Sequence, residues 1–444
     1  MQGQSAEESQ GRGAFTSALL SLIEREGVDQ LTYEDIIMSL PVLSNQNPQC
    51  EGVNRRRILF NSRPGNHHRK HYTIRPSANR PGEYILSAGD AHGITERSKF
   101  DVYSNMKMSS PPLGSVWAIE VSEFSTRCSS LDGKPFSLLP SAYAAQTHSG
   151  IGYNVRIFIE TTDPHHELFI SLLKGMKTNH GRSYHLAHDI NDKPDLAIQV
   201  RDSGHVQFNI MDELCREYGL TRMPFDSVPV DNSAHLVSIF CGAADFYRSL
   251  HHSRRIGLSG LSENIEIECL RLVPSGEYTD DLDLILVPEP GGQNLNVDGK
   301  ILIDVDKKDE YGYRIKNNST LPLYAALFYF DMSDLSISSY YLPGTALAGN
   351  ADFSVLPQGS ISIGFGDSGT VPRIYSVKAS QNIDVGYLKL YLSTQFIDYS
   401  HVAQQSPFLP DRGYRPLELR PLNKDSWDTL TIPIIQRKGE LAEK

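Results

Sequence analysis

The chain has 444 residues, a length that corresponds to about three domains of ordinary size. Its hydrophobic fraction of 39% and its charged fraction of 21% are those of a globular protein, and they argue against a disordered or fibrous chain. The formal net charge of −11 argues against a protein that binds nucleic acid through a bulk positive potential.

The first 20 residues lack the pattern of a secretion signal, since no basic start precedes an apolar core. No run of about 18 apolar residues predicts a membrane-spanning helix. The cysteines lie far apart without a C-x-x-C pair, so neither a disulfide framework nor a zinc site is predicted: Cys50, Cys128, Cys215, Cys241 and Cys269. We therefore expect a cytoplasmic protein with reduced thiols and no cofactor, which binds neither nucleic acid nor a membrane.

Two amphipathic helices and a short strand are predicted before residue 62. Apolar residues in the segment 14–25 recur at i, i+4, i+7 and i+8, which is one face of a helix: Phe15, Leu19, Leu22 and Ile23. A second helix is predicted over 32–40, where Pro41 ends it, and a buried strand over 57–61. So short a unit cannot close a core of its own and must dock onto something else.

These residues resemble a known family. The blocks 11–20 (GRGAFTSALL), 31–41 (LTYEDIIMSLP) and 47–60 (NPQCEGVNRRRILF) are similar to the closing part of the caspase-like cysteine-peptidase fold, above all in fungal members of the caspase/metacaspase family. The resemblance covers residues 5–62, with the three blocks in the family's order and spacing. It implies that the last helix and an edge strand like RILF complete the sheet of a peptidase domain.

The resemblance also implies a catalytic pair. In the family, a histidine in an S-G-H-G loop and a cysteine in a D-A-C stretch precede the helix that resembles GAFTSALL. The thirteen residues before Ala14 contain neither residue type, so we expect no peptide hydrolysis by this chain alone and assign no catalytic, cofactor-binding or metal-binding residue. Two interpretations stay open. One is a truncated gene model or a cleaved fragment whose true N-terminus carries the catalytic sheet, and the other is an inactive relative that kept its C-terminal modules.

Three further patterns imitate catalytic motifs, and each has a simpler interpretation. Residues 148–152 (HSGIG) are typical of a turn before a strand. Cys241, which could pair with His235 or His252, lies in an apolar run typical of a buried thiol. Residues 366–369 (GDSG) follow a predicted strand and indicate a turn rather than a serine-peptidase site.

Two histidine-rich stretches complete the candidates. His180, His185, His188 and Asp189 have a metal-like spacing, but their context indicates a polar loop. The basic stretch 54–80 contains His67, His68 and His71 among arginines and lysines. An anionic partner is conceivable for it, and a solvated linker between modules is the simpler interpretation.

The remainder predicts two modules of short strands. A mixed α+β module is predicted over 63–262, with helices at 165–177 and 231–252 and a hairpin at 196–210. A β-sandwich module is predicted over 263–399.

Within the sandwich, the strand 323–331 (LYAALFYFD) is apolar on both faces and should lie inside. The proline-rich segment 400–444 is expected to be a partly disordered tail. The predicted fold class is therefore α+β, β-rich and multidomain. The expected function is that of the C-terminal part of a caspase-like cysteine endopeptidase, or alternatively of a stand-alone β-rich regulatory or protein-binding module. We expect the chain to bind other proteins or the missing peptidase half. The sequence leaves the oligomeric state open.

Overall fold

The computed structural model describes residues 8–9, 12–26, 33, 36–37, 40, 48–50, 71–78, 80–104, 111–138, 142–225, 228–254, 260–278, 284–346, 352–366, 370–409 and 426–439. Within these residues the protein is of the α+β class, with several sheets, many strands and few helices. The five cysteines are all free thiols. No helix in the described ranges is both long and apolar enough to cross a membrane.

The N-terminal segment forms a small unit with its own apolar cluster. Its elements are β1 (Glu8–Ser9), β2 (Arg12–Gly13), α1 (Ala14–Glu26) and β3 (Gln49–Cys50). The first predicted helix is confirmed by α1, whose apolar face packs on Ile36, Ile37 and Leu40. The second predicted helix is described only in part, and the strand predicted over 57–61 lies outside the described residues.

A closed antiparallel barrel follows. Its strands are β4 (His71–Pro76), β5 (Glu83–Leu86), β6 (Lys99–Tyr103), β7 (Gly114–Val121), β8 (Thr126–Ser130) and β9 (Ala142–His148). The order β4-β5-β8-β7-β6-β9 closes because β9 pairs back with β4. Buried residues alternate along β5, β6 and β8 and fill the barrel with a core of its own.

An α/β layer comes next. Its elements are β10 (Val155–Ile159), α2 (His166–His180), β11 (Tyr184–Ala187), β12 (Leu196–Val200), β13 (Val206–Ile210), α3 (Glu213–Glu217) and α4 (Ser233–His251). The sheet order is β11-β10-β12-β13, with β10 parallel to both neighbours and β12–β13 an antiparallel hairpin. The predicted hairpin and both predicted helices are confirmed. The polar loop predicted around His185 is corrected, because β11 forms there as an edge strand.

The C-terminal elements form two stacked sheets. They are β14 (Ile265–Tyr278), β15 (Leu284–Pro288), β16 (Asn296–Val297), β17 (Lys300–Asp304), β18 (Glu310–Asn317), β19 (Tyr324–Asp331), β20 (Ile337–Tyr341), β21 (Thr345–Ala346), β22 (Ser360–Ile363), β23 (Ile383–Ser393) and β24 (Trp427–Arg437). One sheet has the order β15-β14-β18-β22 and the other β16-β17-β24-β23-β19-β20. The short strand β21 pairs with β3 of the N-terminal segment.

The six-stranded sheet is the central layer of the protein. On β19, Phe328 and Phe330 belong to the core shared with α2 and α4, whereas Leu327 and Tyr329 belong to the core shared with the four-stranded sheet. Both faces are thus covered, as the apolar run 323–331 predicts. The interior position of this strand is confirmed.

Two predicted module boundaries are corrected. The segment 63–262 is not one module, because the barrel has its own core whereas the α/β layer shares a core with the six-stranded sheet. The segment expected to be a partly disordered tail over 400–444 supplies β24, which lies between β17 and β23 inside the sheet. Strand β24 carries Pro433, which lacks an N–H for the ladder and hides the strand from a pattern-based prediction.

Candidate functional site

A cavity of about 380 Å³ lies where the barrel, the α/β layer and the six-stranded sheet meet. Most of its walls come from four stretches that are far apart in sequence: 146–153 at the end of β9, 180–182 after α2, 238–252 along α4 and 399–409. Its volume falls in the range of sites that hold small organic molecules. We therefore treat this cavity as the candidate functional site.

A close backbone approach joins the barrel to α2 at one wall. The N–H and the hydroxyl of Ser149 both donate to the carbonyl of Gly181, at 2.8 and 3.0 Å. Gly181 has φ +66°, and a Cβ there would lie 2.0 Å from the carbonyl oxygen of Thr147. Only glycine fits this position, which also ends α2 in the left-handed conformation.

The opposite wall is the stretch 399–409, which is held against α4. The side-chain amide of Gln404 donates to the carbonyls of Gly242 and Leu335, at 3.1 and 2.6 Å. Pro407 packs so close to α4 that a Cβ on Gly242 would lie 2.5 Å from the Pro407 Cβ. Residues 400–409, which were expected to belong to a partly disordered tail, therefore form one wall of the cavity.

An ion pair lines the cavity between these walls. The Arg182 Nε donates to both carboxylate oxygens of Asp245, at 3.2 and 3.3 Å, and Nη2 donates to Oδ2 at 2.9 Å. Nη1 donates to the carbonyl of His180 at 2.9 Å. The neighbouring Asp245 carboxylate raises the pKa of Arg182 and holds its guanidinium in one orientation.

A second arginine ties α4 to the barrel. Arg248 Nη1 donates to the carbonyl of Gly152 at 3.1 Å, and Nη2 donates to the carbonyl of Gly93 and the hydroxyl of Thr95, at 3.2 and 3.1 Å. All three acceptors are neutral oxygens. Burial lowers the pKa of Arg248, and the charge of Asp245 opposes that shift.

Two histidines of the cavity have tautomers set by their hydrogen bonds. His401 Nδ1 lies 2.9 Å from the carbonyl of Asp398, and His252 Nε2 lies 2.7 Å from the carbonyl of Asp90. Because a carbonyl only accepts, the N–H is assigned to these two nitrogens. In the neutral rings, the nitrogen without a hydrogen is then Nε2 in His401 and Nδ1 in His252. The ring of His252 also stacks on Trp427.

A buried lysine holds the end of α4 beside the cavity. Lys389 Nζ donates to the carbonyls of Ser249, Leu250 and His252, at 3.0, 2.6 and 2.5 Å. These bonds satisfy carbonyls that the helix end leaves without an intrahelical donor. Burial lowers the pKa of Lys389 to about 7.

The structure brings some of the sequence candidates together and separates others. Cys241, His148, His180 and His252 line the same cavity. His235 lies in the first turn of α4 and is not part of the cavity lining, so of the two pairings considered for Cys241 only His252 shares the site.

The metal-like spacing is not assembled into a site. His185 lies on the edge strand β11, and Asp189 accepts the N–H of Asn191 in a short turn. No group of three or more histidine, cysteine, aspartate or glutamate side chains in the described part of the chain is placed to hold a metal ion. His67, His68 and residues 367–369 of the GDSG pattern lie outside the described residues, and His71 begins β4.

The residues that sequence patterns did not single out are Arg182, Asp245, Arg248 and His401. A signal for part of the set exists on α4, because Cys241, Asp245, Arg248 and His252 recur at i, i+4, i+7 and i+11 and so form one polar stripe. The amphipathic pattern of α4 predicts which of its faces is buried, but it does not show that the polar stripe lines a cavity. That follows only from the position of the other cavity walls.

No family model matches the chain, and neither a curated protein nor a solved structure matches it. The interpretation of the cavity therefore rests on its own geometry.

Proposed function

We propose that the chain is the C-terminal part of a caspase-like cysteine endopeptidase of the cytoplasm. In this proposal, residues 1–62 complete the peptidase fold, and the layered body of residues 71–439 regulates the peptidase or recognises a protein partner. Hydrolysis requires the histidine and cysteine of the peptidase half, so the 444 residues alone are not catalytic.

The observation that carries this proposal is the incomplete cover of α1. Leu22 is buried, with 2% exposed, but Phe15, Leu19 and Ile23 on the same face are only half-buried. The cluster around Leu22 is separate from the three larger cores. A helix with a half-covered apolar face suits a layer that packs on a sheet, as the resemblance to the peptidase fold implies.

A second contact gives the proposal a route for regulation. Cys50 pairs with Thr345 and Gln49 with Ala346, so that β3 and β21 form a short antiparallel ribbon. This ribbon joins the N-terminal segment to the stacked sheets. A partner that binds the body and moves β21 would therefore act on the segment that completes the peptidase.

The full-length transcript tests the proposal. We expect the reading frame upstream of the Met1 codon to encode an S-G-H-G loop and a D-A-C stretch. Stop codons in that frame, close to the Met1 codon, would contradict the proposal and favour the alternative.

A peptidase assay tests the catalytic part separately. The purified 444-residue chain should not hydrolyse peptide dyes that end in arginine or lysine, with or without calcium. Hydrolysis that is lost in Cys241→Ala would contradict the proposal, because it would place the catalytic thiol in the cavity.

The alternative is a stand-alone β-rich binding module with a vestigial peptidase segment. It is favoured by the composition of the three large cores, whose described members all come from Tyr72 onward. Among the residues that the structure describes, the N-terminal segment therefore contributes no apolar side chain to these cores. The transcript distinguishes the two functions, since only the first requires a peptidase half in the same reading frame.

A further inference from the structure

The cavity between the barrel, α4 and the stretch 399–409 has an uneven distribution of charge. Two guanidinium groups, those of Arg182 and Arg248, line it together with five histidines: His92, His148, His180, His252 and His401. Among the described residues of its lining, Asp245 supplies the single carboxylate. With all histidines neutral, the lining therefore carries one net positive charge.

The lone carboxylate is shared between both arginines. Asp245 binds Arg182 directly, and its charge also acts on the half-buried Arg248, whose own hydrogen bonds go to neutral oxygens. A positive charge that is taken out of water and only partly compensated is costly. A second anion in the cavity would lower that cost.

Donors for such an anion are present. An arginine has five N–H groups. Arg182 uses one hydrogen of Nη1 for the His180 carbonyl and one of Nη2 for Asp245, so each terminal nitrogen keeps a second N–H outside these bonds. These N–H groups carry the guanidinium charge and can donate to the oxygens of a carboxylate or a phosphate.

The rest of the lining suits a small molecule rather than a bare ion. Tyr153, Tyr391 and Tyr399 contribute aromatic side chains, and Gln146 and Gln405 contribute amides. Two close contacts join its walls, the backbone of Thr147 at Gly181 and the ring of Pro407 at Gly242. The volume of about 380 Å³ admits an organic ligand of modest size.

We propose that this cavity binds a small organic oxyanion, whose carboxylate or phosphate group accepts hydrogen bonds from Arg182 and is attracted by the positive charge of Arg248. The proposal goes beyond the relation to cysteine peptidases and does not depend on it. Asp245 acts in this site as a positioning residue for Arg182, and its negative charge opposes the binding of an anionic ligand.

Isothermal titration of the purified full-length chain with inorganic phosphate and with acetate, at low ionic strength, tests the proposal. We expect at least one of the two anions to bind, and the tighter one identifies the group that the site prefers. Arg182→Gln should weaken that binding about tenfold, the effect of losing one charge-assisted contact. Asp245→Asn should strengthen it about threefold or more, because the negative charge that repels the bound anion is removed.

The matched control is Arg127→Gln. Arg127 binds the carboxylates of Glu83 and Glu120 on the barrel and is not part of the cavity lining, so its loss should leave the dissociation constant unchanged. A thermal melt of each variant shows that it is folded. Absence of binding of both anions to the unaltered chain would overturn the proposal. It would also be overturned if Asp245→Asn weakened binding as Arg182→Gln does, or if Arg127→Gln weakened it equally.

Discussion

The N-terminal segment and the central six-stranded sheet differ in how their apolar side chains are covered. On α1, Leu22 is buried while Phe15 and Leu19 remain half-buried. On β19, Phe328 and Leu327 point to opposite faces, and each is fully buried in a large core. The central sheet thus completes its packing within the chain, whereas the described part of the N-terminal segment leaves the apolar face of α1 half-covered. A dependence on a neighbouring polypeptide is therefore expected at α1 and not at the body.

The largest change in the free energy of unfolding is expected when a buried side chain is removed from the central six-stranded sheet. Phe328→Ala removes a fully buried ring that meets Tyr391 edge to face at 5.8 Å, and should lower the free energy of unfolding by about 3–5 kcal/mol. The matched control is Phe353→Ala, because Phe353 is 38% exposed and should cost only about 1 kcal/mol. Urea unfolding measures both. Equal losses would show that the central layer is not the closed core described here.

The second largest effect is expected at the contact between the barrel and the end of α2, which forms one wall of the cavity. Gly181→Ala places a methyl group 2.0 Å from the Thr147 carbonyl oxygen at a positive φ and should cost about 2–4 kcal/mol. Gly175→Ala in the same helix meets nothing within 4 Å and should stabilise the protein by about 0.5–1 kcal/mol. The opposite signs are read from urea midpoints. A stable Gly181→Ala variant would show that the barrel and α2 do not approach as described.

The buried ammonium of Lys389 makes the central sheet sensitive to pH. Its pKa is about 7 in the folded protein instead of the usual 10.5, so between these values the unfolded chain binds more protons and the free energy of unfolding rises with pH. The slope from this group is at most about 1.4 kcal/mol per pH unit.

Lys389→Met removes this contribution. The free energy of unfolding of the unaltered chain, relative to that of the variant, should therefore increase by about 2 kcal/mol between about pH 7 and about pH 9. Urea titrations at the two pH values provide the measurement. Parallel pH profiles of the two proteins would mean that Lys389 is not buried as an ionisable group beneath α4.

The smallest effect on the body is expected from the N-terminal segment. Leu22→Ala removes the most buried of the described side chains of α1, yet the free energy of unfolding followed by tryptophan fluorescence should change by less than about 0.5 kcal/mol. The readout is specific, because both tryptophans, Trp117 and Trp427, lie in the body. A loss comparable to that of Phe328→Ala would show that α1 is part of the central core.

Most strands were predictable because one-sided burial imposes a period of two on the sequence. The hairpin at 196–210 follows from that rule, whereas the strand 323–331 was predictable from its continuous apolar run, because it is buried on both faces. Strands β8 (TRCSS) and β9 (AYAAQTH) carry mostly small and polar residues, since the barrel interior accepts small side chains, and so they lack the pattern. Strand β24 is hidden by Pro433 and by the proline-rich sequence before it.

The cavity was not predictable from the sequence because its residues meet only in the folded chain. His148, His180 and Cys241 each stood out for a local pattern, and each pattern by itself favoured a turn, a loop or a buried thiol. Arg182 and Asp245 are 63 positions apart and carry no motif, so their ion pair follows from the packing of α2 on α4. The arrangement of charged groups in the cavity is therefore set by tertiary contacts and not by a local sequence motif.

Amide hydrogen exchange in the 444-residue chain most directly tests whether α1 stands apart from the body and packs on a sheet of the peptidase half. We expect the amides of α1 to exchange on the order of 100-fold faster than those of β23, which pairs with β24 along its whole length and with β19 over residues 386–393. Exchange of α1 as slow as that of β23 would show that the body itself stabilises the helix, and would contradict its assignment to a neighbouring peptidase sheet.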